Sequence, residues 1–547
     1  MRVPRLGSFD SRNGGTHETD DLWLLRTWAG AGATLALLAG AAAAGSPAAA
    51  HDDDLGPAIE AIMHKPGYEH AQWGVLETDP ETGRVIHSQF PNQFFVPGST
   101  VKLVTISTAW HTLGPNHRFT TPVMATGTRT GSTLHGNLAL VAQGDLTMGG
   151  RTKPDGSVDY TDIDHTEAAI PGATLTPENP LAGINKIARQ IRDAGITRVD
   201  GNVIIDPRLF TPPALSPQPT PLILNDNLID LLTTPTTPGQ PAKLFWRPQV
   251  SPYHVTSTVR TVSSGETTSV NVTASPDGTQ IHLSGTIAAG SQPLLRVSNI
   301  QDPNAFGRTA LIEALARAGV TVTAPPTGPN PQKQLPASYR DTPRVAAYVS
   351  PPYSQYAKLI LKVSHNLGAN LALCNMAVAR GSKNCFDAFP IEHDFLTNVA
   401  QIDPKQFQLA DGRGGVPAER VTPNGLVELL TYWLHTPDAE AFRSLLPILG
   451  VDGSNGISCT TDCPAKGKVF AKPGTIIGDD ELNQELAATA QNEAGYLQTD
   501  DGRLLTFFVG VNGASTPDLQ SFLGIFNDVN QITALLQEQA SADEAHR

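Results

Sequence analysis

Pro97-Gly98-Ser99-Thr100-Val101-Lys102 opens a run, residues 99–113, in which Val101, Leu103, Val104, Ile106 and Trp110 give a strongly apolar helical pattern. Ser99 therefore falls at a helix N-terminus, where unpaired amides and the positive dipole end favour a developing alkoxide or oxyanion. Lys102, three residues on, stands on the same face one turn away. A desolvated lysine at that place loses its proton and acts as base toward the serine hydroxyl. No other Ser-x-x-Lys occurs in the chain. The same residues also describe an N-cap serine followed by a lysine that lays its stem along the surface.

Upstream, residues 55–63 carry apolar side chains at helical spacing, and residues 73–76 and 85–90 read as strands. Asp79-Pro80-Glu81-Thr82-Gly83 supplies the turn that makes them a hairpin. From about residue 117 to 343 the texture changes. Short β-rich runs at 138–141, 199–205, 269–274 and 281–287 alternate with Pro-, Gly- and Thr-rich loops. Helical stretches at 181–194 and 310–318 each end in Ala-Gly before a β-branched run, either a weak internal repeat or recurrent αβ-loop chemistry. Long helical patterns return at 356–378 and 422–434, and residues 469–471 begin an edge-strand pattern. Residues 495–497 and 504–511 flank the hairpin turn Asp500-Asp501-Gly502, and 522–537 form a last amphipathic helix. The pattern predicts one α+β domain made from the two ends of the chain, with the β-rich middle inserted into it.

Two further constellations could carry chemistry. Ser364-His365-Asn366 lies between apolar helical segments, where polar residues need partners. Ser-x-Asn also begins at Ser11, Ser269 and Ser382, and a satisfied hydrogen bond between helices is the competing reading for Ser364. His365 reads as a surface or structural residue. Lys472-Pro473-Gly474-Thr475 follows the strand-like Val469-Phe470-Ala471. A cation there could anchor a substrate carboxylate, and Gly474 would let a substrate backbone come close. Lys-Pro-Gly also occurs at Lys65, with no strand before it.

The 547-residue chain carries a net charge of −14 and no cluster of Lys and Arg, which argues against a nucleic-acid partner. Arg26 precedes an uncharged run, residues 27–50, that closes on Ala48-Ala49-Ala50 before His51-Asp52-Asp53-Asp54. Residues 1–50 thus read as a signal peptide or, uncleaved, as an N-terminal anchor that would be the only link to a membrane. Cys374, Cys385, Cys459 and Cys463 make an even count, which favours disulfides in an exported chain. Local pairing, Cys374 with Cys385 and Cys459 with Cys463, is preferred because each pair brackets a short loop.

Ser-x-x-Lys, then Ser-x-Asn, then Lys-x-Gly-Thr is close to the motif order of penicillin-binding proteins and β-lactamases. The chain resembles the low-molecular-mass penicillin-binding proteins of the D-alanyl-D-alanine carboxypeptidase/endopeptidase kind that carry a large insertion, the penicillin-binding protein 4 type. Beyond the three motifs, the resemblance rests on Leu113-Gly114-Pro115, Arg118-Phe119-Thr120-Thr121, Gly136-Asn137-Leu138, Gly144-Asp145, Gly195-Ile196-Thr197-Arg198-Val199-Asp200-Gly201, Ser350-Pro351-Pro352, Gly450-Val451-Asp452-Gly453 and Ala494-Gly495-Tyr496. It implies a serine DD-peptidase/β-lactamase-like domain, an antiparallel sheet flanked by helices, formed by residues 51–117 and 344–547 and interrupted by accessory domains at 118–343.

The resemblance also implies the roles. Ser99 attacks the penultimate D-alanine carbonyl of a peptidoglycan stem peptide, and Lys102 takes its proton. Ser364 and Asn366 relay protons and hold the substrate, while Lys472, Gly474 and Thr475 bind the terminal carboxylate region. The amides of Ser99 and Thr475 form the oxyanion hole, and Lys472 helps depress the Lys102 pKa. β-Lactams would acylate Ser99, and the chemistry calls for no cofactor and no metal. Three departures stand out. Pro473 replaces the usual threonine and removes an amide, which predicts reduced or altered activity. Arg413 stands where a serine is frequent, and Asn370 where a glutamate is. A related β-lactamase or esterase, and a weakly active wall-binding module, are the competing functions.

Overall fold

A computed structural model describes residues 55–545, so the expected leader lies outside the described residues. The helix Val101–Leu113 supplies Leu103, Val104, Ile106, Ala109 and Trp110 to one apolar core. Every residue from Val101 to Trp110 is buried, as a helix that is apolar all round must be, and Gly114 at φ 86° ends it. Around it gather the helices Tyr353–Lys362, Asn366–Ala379 and Pro423–Leu434 in one apolar cluster.

That cluster packs on a five-stranded antiparallel sheet drawn from both ends of the chain. Its strand order is Val469–Asp480, Glu485–Gln498, Leu504–Thr516, Gln72–Thr78, Val85–Gln89. Side chains alternate across it. Leu76 and Phe508 face the helical cluster, whereas Val75, Phe507 and Val509 face the helices Pro57–Met63 and Leu519–Ala545 on the other side. The sheet is thus covered by helices on both faces, and Val469–Asp480 is its edge strand, as the sequence predicts.

The middle of the chain builds its own core around a six-stranded mixed sheet. Ala194-Gly195 and Ala318-Gly319 lead into Arg198–Val199 and Thr321–Val322, and these two short strands belong to the same sheet. Arg344–Val349 runs beside Thr120–Thr130, so this sheet reaches six residues past the expected limit at 343. The strand expected over 199–205 is broken into Arg198–Val199 and Val203–Asp206. There Gly201 lies so close to the Gly136 carbonyl that a Cβ would sit 2.1 Å from its oxygen, and the Asn202 amide donates to Asn137 Oδ1 at 2.7 Å. The helix expected from 310 starts earlier, at Pro303, because Asp302 Oδ1 caps the amides of Asn304 and Ala305. Both disulfides join the cysteines the spacing suggests, Cys374 to Cys385 and Cys459 to Cys463. Among the described residues no helix is long and apolar enough to cross a membrane.

Candidate active site

Ser99 sits in a single 3-10 turn, Gly98–Thr100, that runs straight into the helix Val101–Leu113. The turn docks on the edge strand without side chains between them. A Cβ on Gly98, whose φ is +54°, would lie 2.7 Å from the Thr475 nitrogen, and one on Gly474 would lie 2.3 Å from the Pro97 oxygen. Glycine at these two places lets the serine reach the strand that carries Lys472 and Thr475.

Lys102 is fully buried. Its Nζ donates to Ser99 Oγ at 2.7 Å, Asn366 Oδ1 at 2.9 Å and the Arg413 carbonyl at 2.9 Å. Burial first, and then the Arg413 charge, lower it from the ordinary lysine value to about 7, against the opposing pull of Asp411, Glu167 and Glu419. A neutral amine there keeps two N–H donors for Asn366 and Arg413 and turns its lone pair on the Ser99 hydroxyl.

The helix expected over 356–378 is interrupted. Tyr353–Lys362 and Asn366–Ala379 are separate helices, and Ser364 between them adopts φ +58°. Left-handed backbone is costly for a non-glycine residue and persists where surroundings impose it. Here Lys472 Nζ donates to Ser364 Oγ at 2.9 Å, and His365 Nδ1 caps the second helix by accepting from the Gly368 amide at 2.9 Å. His365 is completely buried, so of its two sequence readings the structural one holds. The turn joins both lysines, Lys102 through Asn366 and Lys472 through Ser364.

Lys472 is itself fully buried, and its Nζ also donates to the Pro473 carbonyl at 2.6 Å. Burial, and after it the nearby Lys102, hold it well below the usual lysine range. The two buried lysines disfavour one another's protonation, and Arg413 is the further cation that depresses Lys102. Thr475 is exposed beside the serine turn and donates its hydroxyl to Gln491 Oε1 at 2.8 Å.

The loop at Arg413 is shaped by Asp411, whose Oδ1 accepts from the amides of Arg413 at 2.8 Å and Gly414 at 2.6 Å. That curl aims the Arg413 carbonyl at Lys102. Asn370 ties the loop down, accepting from the Gly412 amide at 3.2 Å and donating to the Pro217 carbonyl at 3.0 Å. Glu167, from the turn His165–Glu167 of the middle segment, adds a carboxylate that acts on both lysines, and burial pushes it up to about 7. No motif in the sequence marks it.

A serine at a helix tip, a lysine able to take its proton, and a second lysine on an adjacent edge strand are the equipment of a serine hydrolase working by acyl transfer. The chain belongs to the D-Ala-D-Ala carboxypeptidase 3 (S13) family, which it matches over residues 55–523, and it is a peptidase. It is 24% identical over 483 residues to the D-alanyl-D-alanine carboxypeptidase of Actinomadura sp., covering 84% of this chain and 81% of that one. With the penicillin-sensitive carboxypeptidase A of Dictyostelium discoideum it shares 23% identity over 429 residues, 75% of this chain and 78% of the relative. The crystal structure of penicillin binding protein 4 from Haemophilus influenzae superposes with a TM-score of 0.65 at 20% identity, over 88% of this chain and 99% of that one. The fold is therefore the α+β arrangement expected from the sequence.

Proposed function

We propose that Ser99 is the nucleophile of a D-Ala-D-Ala carboxypeptidase/endopeptidase that trims peptidoglycan stem peptides. The observation that carries this is the hydrogen bond between Lys102 Nζ and Ser99 Oγ, with the other two donors of the amine fixed on Asn366 and Arg413. Ser99 Oγ bonds to the carbonyl carbon of the penultimate D-alanine as its proton passes to Lys102. The carbonyl oxygen takes negative charge against the amides of Ser99 and Thr475 at the meeting of turn and strand. Collapse of this intermediate breaks the peptide bond, and the leaving D-alanine nitrogen receives the proton by way of the Ser364 hydroxyl. Water then attacks the ester, its proton returns through Lys102, and Ser99 is freed.

Asn366 orients substrate and Lys102 together. Lys472, Gly474 and Thr475 form the wall for the terminal carboxylate, with Lys472 acting through the Ser364 hydroxyl it holds. β-Lactams present the same carboxylate and a reactive carbonyl, so they acylate Ser99 and remain there. The substrate places the enzyme outside the cytoplasm at the cell wall, which fits the leader pattern. Residues 118–343, with the strand Arg344–Val349 that completes their sheet, act as an accessory insertion between the parts of the peptidase domain.

A fluorescent penicillin should label the wild-type protein and leave Ser99→Ala unlabelled, and the wild type should release D-alanine from a pentapeptide ending in D-Ala-D-Ala. Label retained by Ser99→Ala, or hydrolysis of the penicillin with no D-alanine release, removes this reading. A cross-linked stem-peptide dimer offered alongside measures the endopeptidase share.

A further inference from the structure

Behind the Ser364–Asn366 turn lies a buried ion cluster that the chemistry above does not use. Arg151 donates to Asp164 Oδ2 at 2.6 Å and to Asp226 Oδ2 at 2.8 Å. The His165 ring bridges Asp226 Oδ2 at 2.6 Å and Asp230 Oδ1 at 2.8 Å, and Arg247 Nε donates to Asp230 Oδ2 at 2.9 Å. Burial opposes a charge on His165, yet Asp230 and Asp226 together hold it up to about 10, so it is an imidazolium. Arg151, His165 and Arg247 then balance Asp164, Asp226 and Asp230. Every one of these groups comes from the middle of the chain.

The cluster meets the catalytic turn at His365. Asp226 Oδ1 lies 3.2 Å from His365 Nε2, within ion-pair range but outside hydrogen-bond geometry, so the buried Nε2 faces the carboxylate without a hydrogen bond. His365 Nδ1 accepts from the Gly368 amide and so bears no proton, which puts the ring proton of a neutral imidazole on Nε2, toward Asp226. Asp226 is held in place for this. Asn225, Asp226 and Asn227 have φ of 51°, 54° and 58°, three successive left-handed residues without a glycine, a strain kept where surroundings over-determine it. The aspartate thus faces His365, next to the left-handed Ser364, and that turn has to be maintained for Ser364 and Asn366 each to meet its lysine.

We propose that Asp226, through His365 Nε2, is the positioning residue that locks the Ser364–Asn366 turn onto Lys102 and Lys472, so that the middle segment takes part in acyl transfer. The proposal rests on the Ser99 reading above. The competing role for His365 is that of a helix cap alone. The two roles use different ring nitrogens, and two substitutions divide them. His365→Asn places Oδ1 near the Nδ1 position and keeps the cap, but is too short for Asp226. His365→Gln extends an amide to the Nε2 position and keeps an N–H facing Asp226, but gives up the cap.

The test measures acylation by a fluorescent penicillin, non-covalent affinity for it, and the melting temperature of full-length wild type and both variants. His365→Gln should acylate within about three-fold of wild type although it melts lower, and His365→Asn should acylate at least about ten-fold more slowly with affinity little changed. Activity and stability would then rank the variants in opposite orders, which a cap alone cannot produce. Equal acylation rates, or His365→Asn the faster, overturn the proposal. A wild-type protein that takes up no penicillin sinks the Ser99 reading and this inference together.

Discussion

Replacing Arg413 by glutamine isolates the charge that, after burial, most lowers Lys102, the base in the proposed mechanism. Arg413 lies in the loop whose carbonyl holds Lys102, and after burial it is the largest influence lowering that lysine to about 7. Glutamine keeps the backbone carbonyl and most of the side-chain bulk while removing the cation. At an effective dielectric near 20, a unit charge several ångströms away acts with roughly 2–3 kcal/mol. The guanidinium side chain is 27% exposed and paired with Asp411 at 3.5 Å, so solvent and partner cut this to about half, or about one pH unit. Removing a neighbouring cation relieves the ammonium, so the Lys102 pKa rises toward 8. Only the neutral amine accepts the Ser99 proton, so the wild-type acylation rate should climb with pH and reach half its plateau near 7. In Arg413→Gln the midpoint should move up by about one unit. At pH 7 the neutral fraction drops from about one-half to about one-tenth, a roughly five-fold loss that disappears by about pH 9. The assay is the second-order rate of acylation by a chromogenic β-lactam, followed from about pH 6 to pH 10. A midpoint that stays within about 0.3 units, or moves down, would show that Lys102 is not the titrating base or does not feel Arg413.

Glu167→Gln should shift the same midpoint the other way, to lower pH, because it removes a carboxylate that favours the protonated lysine; an upward shift on the same assay contradicts this electrostatic picture. Lys102→Met should retain non-covalent β-lactam affinity and lose acylation by about 10²- to 10⁴-fold, and a loss under ten-fold in stopped-flow measurements excludes it as the base. Pro473→Thr restores an amide and a hydroxyl on the edge strand beside Lys472 and should raise the acylation rate; an unchanged rate means the proline costs nothing. Gly474→Ala drives a methyl into the Pro97 carbonyl, so its melting temperature should fall by an amount equivalent to about 1–3 kcal/mol, and penicillin labelling should fall with it. A variant that matches wild type in both would mean that the turn and strand can separate freely.

The architecture was readable wherever one residue's neighbours in sequence are also its neighbours in space. The helix Val101–Leu113 announces itself because its apolar residues go all the way round, and the hairpin of Leu504–Thr516 because Asp500-Asp501-Gly502 fixes its turn. Readings failed where a distant contact overrules a local pattern. Apolar residues continue at helical spacing on both sides of Ser364, so nothing nearby reveals the left-handed break; Lys472, 108 residues away in sequence, meets its hydroxyl. The same limit applied to charge. The three motifs name the side chains that meet, yet Lys102 is tuned by a guanidinium and a carboxylate that none of the three motifs marks: Arg413 and Glu167. A motif records which groups converge on a reacting atom, because their identity is fixed by the chemistry. The field around them can be supplied by any charge in reach, and so it leaves no fixed spacing in the sequence. That is why Arg413, a departure from the pattern at a frequent serine position, adds its charge to burial in lowering the Lys102 pKa to about 7.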